Sequence, residues 1–186
     1  MLQLLIFKTK GIILKIHKVD EKDYLYTIFT FDYGKILCQK KINKKEKTLD
    51  LGYVINFEIE TKETRKVHKI RNIKISSEFQ TENKNFTLIH QYLELLGIVL
   101  RNTPDGVPVS HVLEILEYIH SDHRLSEERI LLAKLKCYNT FGILKIEHKN
   151  QTIQKILKFI DKNNITEILK LTGINTELKK ELEQLL

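Results

Sequence analysis

Five lysines lie within one short stretch of this chain, and their charges suit an anionic ligand. They are Lys40, Lys41, Lys44, Lys45 and Lys47, with Glu46 the one acidic residue among them. Ammonium groups at this density neutralise phosphates. The preceding stretch, residues 23–33, is rich in tyrosine and phenylalanine, whose rings stack on unpaired bases. The combination predicts a contact with single-stranded nucleic acid, with the five lysines as the main phosphate-binding group.

The aromatic residues of this stretch cannot all be available to a ligand. They are spread over both faces of a predicted strand and its turn, so at least half must belong to a core. Tyr26 and Tyr33 are the candidates for stacking on a base, because a hydroxyl group tolerates an exposed edge.

Positive charge is concentrated in the first half of the chain. Residues 1–80 hold 17 Lys and Arg against 10 Asp and Glu, a net charge of +7, whereas residues 81–186 hold 14 of each. This segregation favours a polyanionic partner for the first half over a general drift of composition toward Lys, Ile and Asn. Further basic residues on or beside the predicted strands extend the positive surface: Lys15, Lys35, Lys69, Arg71 and Lys74.

No sequence feature indicates catalysis, a metal or a cofactor. Cys38 and Cys137 lie far apart in apolar patterns, which predicts buried, reduced thiols and a cytoplasmic protein. His120 and His123 lack a third ligand at helical spacing, and the glycine-rich and metalloprotease motifs are absent. No stretch is apolar enough to enter a membrane. We therefore expect a binding protein rather than an enzyme.

The elements that position the basic residues begin with five short strands. Alternating or β-branched patterns predict strands over residues 11–16, 23–31, 36–39, 54–60 and 67–76. The first should present Ile12, Leu14 and Ile16 on one face. Gly34 should take a positive φ in the turn after the second strand, and a change of parity in the fifth strand predicts a bulge. Five strands without an intervening helix predict a closed barrel, for which the OB-fold is the best match.

A helical period follows the polar residues 76–84. It predicts helices over residues 85–101 and 109–119, a third from Ser126 as N-cap to Gly142 as C-terminal stop, a fourth around 153–160, and two short helices on either side of Gly173. The predicted fold class is α+β, with an OB-fold nucleic-acid-binding domain over residues 1–78 and a helical domain over residues 84–186.

Several short segments resemble the RecO recombination mediators of bacterial DNA repair. The first half shares residues 11–15, 20–23, 28–30, 33–36 and Lys40 with the family pattern, and the second half shares residues 128–132 and the Phe141-Gly142 pair. Many members insert a four-cysteine zinc module after that pair, but residues 143–150 contain no cysteine. The chain therefore resembles a short form without the module.

The resemblance implies a function and partners. It implies an OB-fold that binds single- and double-stranded DNA and anneals complementary strands, in partnership with single-strand-binding protein and the RecR clamp. Two alternatives remain open from the residues themselves. The barrel is a structural or protein-interaction subunit whose lysines only keep it in solution, or the chain is a nucleic-acid enzyme with a dispersed active site.

Overall fold

The N-terminal half of the chain forms a five-stranded sheet that closes on itself as a barrel. The computed structural model describes residues 5–42, 46–61, 66–82 and 84–186. Its strands are β1 (Leu5–Lys18), β2 (Asp23–Thr30), β3 (Gly34–Lys41), β4 (Val54–Thr61) and β5 (Val67–Ser77). They are hydrogen-bonded in the order β1-β2-β3-β5-β4, and β4 pairs back onto β1. All the pairings are antiparallel except that of β3 with β5.

Strand β1 is longer than predicted because it serves two neighbours. Its first half pairs with β4 from Leu5 to Ile12, and its second half pairs with β2 from Gly11 to Lys18. The register with β2 shifts between Ile13 and Lys15, so Leu14 is an extra residue. The predicted face of Ile12, Leu14 and Ile16 is therefore wrong, since Ile13 and Ile16 are the residues that join the barrel core.

The other strands follow the predicted alternation. Ile55, Phe57 and Ile59 of β4 are buried in the barrel core, as their spacing predicts. The bulge in β5 is confirmed, because the register with β4 shifts between Asn56 and Glu58. Asn72 lies at this shift with a φ of 50°, a value for which asparagine is better suited than most residues.

The turn between β2 and β3 is fixed by side-chain hydrogen bonds and by a neighbouring segment. The Thr30 hydroxyl donates to the Gly34 carbonyl at 2.9 Å and accepts from the Tyr33 amide at 3.1 Å. Gly34 has a φ of 63°, which confirms the prediction. Residues 103–107, which we call the strap, lie against this turn, and the Gly106 amide donates to the Lys35 carbonyl at 2.9 Å. A Cβ atom on Gly34 would overlap the backbone of Val107.

The helices of the described residues all follow β5 in the sequence. They are α1 (Phe86–Asn102), α2 (Ser110–Ser121), α3 (Glu127–Thr140), α4 (Gln151–Lys162), α5 (Ile165–Ile168) and α6 (Thr176–Glu183). Ser126 caps α3 by accepting from the Arg129 amide, and Gly142 follows the end of this helix with a φ of 70°, both as predicted. Across the described residues, no helix is of a length and apolarity that would let it cross a membrane.

The chain divides into two units that are not simply successive in sequence. The first comprises Met1–Gln80 and Thr103–Leu113, and the second comprises Thr81–Asn102 and Glu114–Leu186. The sequence predicts that residues 103–113 belong to the helical domain, but the structure groups them with the strands. The reason is the contact of the strap with the start of β3.

Candidate nucleic-acid interface

One outer wall of the barrel gathers polar and basic side chains in register. Tyr26, Ile28, Ile36 and Cys38 belong to the barrel core, so the alternate residues of β2 and β3 point outward. Across the strands, Lys15 pairs with Thr27, Thr27 with Leu37, and Leu37 with Val67. The next outward row pairs His17 with Leu25, Leu25 with Gln39, and Gln39 with Lys69. We call this wall the cationic face; Lys41 and Arg71 complete it.

The basic residues of the cationic face surround a neutral centre. Lys15 and Lys69 are both exposed, and they lie on strands separated by β2 and β3. Around the barrel wall over β2 and β3, three strand spacings give a path of about 15 Å between their strands. Leu37 is partly exposed between them. A polyanionic strand that crosses β2 and β3 would therefore meet the ammonium group of Lys15 at one side and that of Lys69 at the other, with the uncharged Leu37 between them.

Acidic residues are almost absent from the four strands that form this face. Asp23 is the single carboxylate in β1, β2, β3 and β5, whereas β4 carries Glu58 and Glu60. Arg71 contacts Glu60 across the β4–β5 pair. The Lys41 side chain is 78% exposed and its ammonium lies 3.7 Å from Asp23. The excess of exposed positive charge is thus greatest on β1 and β5, the two strands that flank β4 in the closed barrel.

The lysine-rich segment is more neutralised than the sequence suggests. The Lys40 ammonium lies 2.8 Å from Glu46, and its side chain is only 17% exposed. Lys47 donates to the Glu78 carboxylate, and this hydrogen bond raises the pKa of Lys47 and lowers the pKa of Glu78. Lys44 and Lys45 lie outside the described residues. Lys40 and Lys47 are therefore engaged with acidic partners. Among the described lysines of this run Lys41 is the most exposed, although it too lies near a carboxylate, that of Asp23.

Lys35 does not lie on the exposed part of the face. Its side chain is 14% exposed, and its ammonium lies 3.3 Å from Asp105 of the strap. The strap forms a parallel bridge with β3 at this point, Lys35 to Asp105. The sequence could not indicate this pairing, since the two residues are distant in the chain.

The prediction that Tyr26 stacks on a base is wrong. Tyr26 is fully buried in the barrel core, because it alternates with Leu25 and Thr27 and so points inward. Burial raises the pKa of its hydroxyl to about 12. Its ring stacks on Tyr24, with centroids 6.1 Å apart. Tyr33 is half-buried at the β2–β3 turn and lies against Phe7.

The sequence analysis missed two exposed aromatic residues and one aliphatic residue. Phe7 and Phe31 lie near Tyr33, at the end of the barrel that holds the β2–β3 turn, and Leu37 lies at the centre of the cationic face. Side chains alternate between the two faces of a strand, so Leu37 could have been predicted to point outward if Ile36 and Cys38 point into the core. No local pattern distinguishes the exposed Phe31 from the buried Phe29.

The histidines and cysteines form no metal site in the described residues. No group of three or more His, Cys, Asp or Glu there is arranged to hold an ion. The Tyr92 hydroxyl lies 3.2 Å from Nδ1 of His120, and Asp122 forms an ion pair with Arg129 at 2.7 Å. Cys38 and Cys137 are free and buried, and burial raises the pKa of each thiol to about 12.

Comparison with known proteins returned no family model and no curated protein that matches this chain. The strand order and the distribution of charge over the barrel are therefore the observations from which a function can be inferred.

Proposed function

We propose that this chain is a DNA-binding protein of the RecO type, a mediator of recombination and repair whose barrel is an OB-fold. The strand order β1-β2-β3-β5-β4, with β3 parallel to β5, supports the OB-fold. The observation that carries the DNA-binding proposal is the cationic face. Its basic side chains flank a neutral centre over β2 and β3, the strands with which OB-folds bind oligonucleotides.

The mechanism is electrostatic and requires no bond chemistry or cofactor. Lys15 and Lys69 contact phosphates on either side of Leu37 and Gln39, while the exposed Lys41 extends the contact along β3. Neutralising the phosphates of two strands lowers their mutual repulsion and favours the approach of complementary bases. Since phosphate contacts carry no sequence information, binding extends to single- and double-stranded DNA of any sequence. We place this activity in the cytoplasm, where buried thiols remain reduced.

Replacement of Lys15, Lys41 and Lys69 by Gln tests the cationic face. The three residues are exposed, so the variant should fold and lose only charge. At about −0.7 per phosphate contact with a single strand, the plot of log affinity against log salt should become shallower by about 2. Annealing of complementary strands should slow as well. Fluorescence anisotropy with labelled single-stranded DNA at several salt concentrations measures the slope.

The matched control replaces Lys155, Lys158 and Lys162 of α4 by Gln. It removes the same charge from exposed positions of the second unit, and its slope should equal that of the parent. If both variants shift the slope equally, binding depends on net charge alone. If the parent shows no salt-dependent binding of DNA, the barrel is a protein-interaction or structural unit, the alternative function. Cleavage of DNA on addition of Mg²⁺ would instead indicate an enzyme.

We also propose that single-strand-binding protein docks on the second unit. The resemblance implies that its acidic tail, which ends in phenylalanine, binds an apolar pocket with a cationic rim. A cleft of about 350 Å³ beside α1 and α3 combines Ile98 and Tyr138 with Arg101 and Lys134. Lys134 is itself bonded to Glu94 at 2.7 Å, and Glu183 also lines the cleft, so we expect a carboxylate of the tail to contact the exposed Arg101.

A tail peptide should bind the protein, and Arg101→Gln should weaken that binding by several-fold because it removes one ion pair. Isothermal titration calorimetry measures both. Arg124→Gln, a change of the same kind at another exposed position, is the control. A peptide that fails to bind at low-millimolar concentration would remove this part of the proposal. Co-elution with RecR in size-exclusion chromatography tests the second partner.

A further inference from the structure

Exposed aromatic rings lie at the end of the barrel that holds the β2–β3 turn. Phe31 is 52% exposed and Phe7 is 38% exposed, and the Phe7 ring lies 5.8 Å from that of Tyr33 at an angle of 53°. Large aromatic side chains contribute most to stability when they are buried. Neither Phe7 nor Phe31 is among the buried residues of the barrel core, so folding alone does not account for their positions.

The backbone that carries these rings is held rigidly. The Thr9 hydroxyl donates to the Asp32 carboxylate at 2.7 Å and so ties β1 to the turn. The Thr30 hydroxyl bonds both the Tyr33 amide and the Gly34 carbonyl. On the other side, Val107 of the strap lies against Gly34. Rings on a pre-ordered turn lose little conformational freedom when they bind a ligand, which favours binding.

A lysine lies next to Phe31. Lys8 follows Phe7 in β1, so its side chain points to the opposite face of the strand, and its ammonium lies 3.9 Å from Glu58. The Phe31 amide donates to the carbonyl of Lys10 at 3.1 Å, which places Lys10 beside the turn. Aromatic faces interleaved with cations are the combination that binds single-stranded nucleic acid, since bases stack on the rings and phosphates meet the cations.

We propose that this end of the barrel binds an unpaired base, which stacks on Phe31 while Lys10 contacts an adjoining phosphate. The ligand is a single strand, because bases within a duplex have no free face. This inference rests on the proposed DNA-binding function. The cationic face contacts phosphates, which single and double strands share, so it provides no preference between them. The base-stacking site at the turn would provide a preference for single strands.

Phe31→Leu tests the proposal, because it keeps an apolar side chain and removes the aromatic face. Affinity for single-stranded DNA should fall by roughly 5- to 100-fold, the range for loss of one stacked base. Affinity for blunt duplex DNA should not change. The salt slope should equal that of the parent, since stacking releases no counterions. Phe31→Tyr, which keeps a ring, should retain the affinity of the parent.

The matched control is Phe86→Leu, the same change at an exposed phenylalanine of α1 in the second unit; it should leave both affinities unchanged. Equal affinity of Phe31→Leu and the parent for single strands would overturn the stacking site, as would an equal loss for duplex. If the parent itself binds no DNA, the proposed function fails. If the parent binds DNA and Phe31→Leu binds it equally well, only the stacking site fails.

Discussion

Tyr26 and Lys40 occupy even-numbered positions of the β2–β3 hairpin, and the even-numbered positions of that hairpin point into the barrel. Tyr26 pairs with Cys38 and Lys40 with Tyr24. Tyr26 therefore lies in the core, and the Lys40 side chain is largely covered at the end of the barrel and contacts Glu46. The residue types suggest a ligand contact for both. Tyr26, however, occupies a strand position whose side chain points into the barrel, so it is not exposed to a ligand.

Replacement of Tyr26 by Phe should leave stability unchanged or raise it by up to about 1 kcal/mol. The Tyr26 hydroxyl oxygen is buried, and no hydrogen-bond partner for it occurs among the described residues. Burying such a group costs free energy, so removing it relieves the cost. Urea unfolding followed by circular dichroism measures the change, and DNA affinity should not change.

A loss of stability greater than about 1 kcal/mol in this variant would mean that the hydroxyl makes a favourable bond. Tyr24→Phe is a suitable comparison, because Tyr24 is only partly buried against the same core. Its hydroxyl can be hydrated, so its removal should have little effect on the free energy of unfolding.

The strap and the turn of β2 and β3 form one element in space although they are distant in sequence. Gly34 satisfies two requirements there: a φ of 63°, and the absence of a Cβ where the backbone of Val107 approaches. The sequence indicates the first requirement, through the turn pattern of residues 32–35. The second depends on a contact between distant segments, which no local pattern encodes.

Gly34→Ala should destabilise the protein by about 3 kcal/mol. About 1 kcal/mol comes from the left-handed backbone conformation, and the rest from overlap with Val107. Gly106→Ala is the matched control, because Gly106 has a φ of 72° but open space where its Cβ would lie. It should cost only the first part, about 1 kcal/mol. Equal losses in thermal or urea unfolding would show that the strap yields easily at Gly34.

The two strand bulges show which irregularities a sequence reveals. The bulge in β5 was predictable, because its apolar residues Ile70, Ile73 and Ile75 change parity. The bulge in β1 was not, since residues 12–14 are all apolar and any of them fits either face. A continuous apolar run conceals its register until its neighbours in the sheet are known.

At the scale of the whole molecule, element types and order were largely predictable. Strand alternation, helical period, the Ser126 cap and the turn glycines are local signals. The strand order, the inward position of Tyr26 and the pairing of Lys40, Lys47 and Lys35 with acidic residues come from contacts between segments. The candidate site therefore differs from its prediction in emphasis. Lys15, Lys69 and Arg71 of β1 and β5 were predicted only to extend the surface, whereas Lys40 and Lys47 of the lysine-rich segment are paired with carboxylates.

The charged residues of the first half are also unevenly distributed over the barrel strands. The sequence places the excess in the first half, and the structure confines the carboxylates of the barrel strands to Asp23 and β4. Because the basic residues of the strands lie mainly on β1 and β5, an approaching polyanion would be attracted to these strands and repelled by β4, which would orient it before any contact is made.

The strap has a consequence for how the protein is made. All five strands have left the ribosome's active site once Ser77 is added, but Val107 follows only after the whole of α1. During that interval the turn at Gly34 lacks its contact with Val107. A fragment that stops at Gln80 would contain all five barrel strands but not the segment that covers this turn.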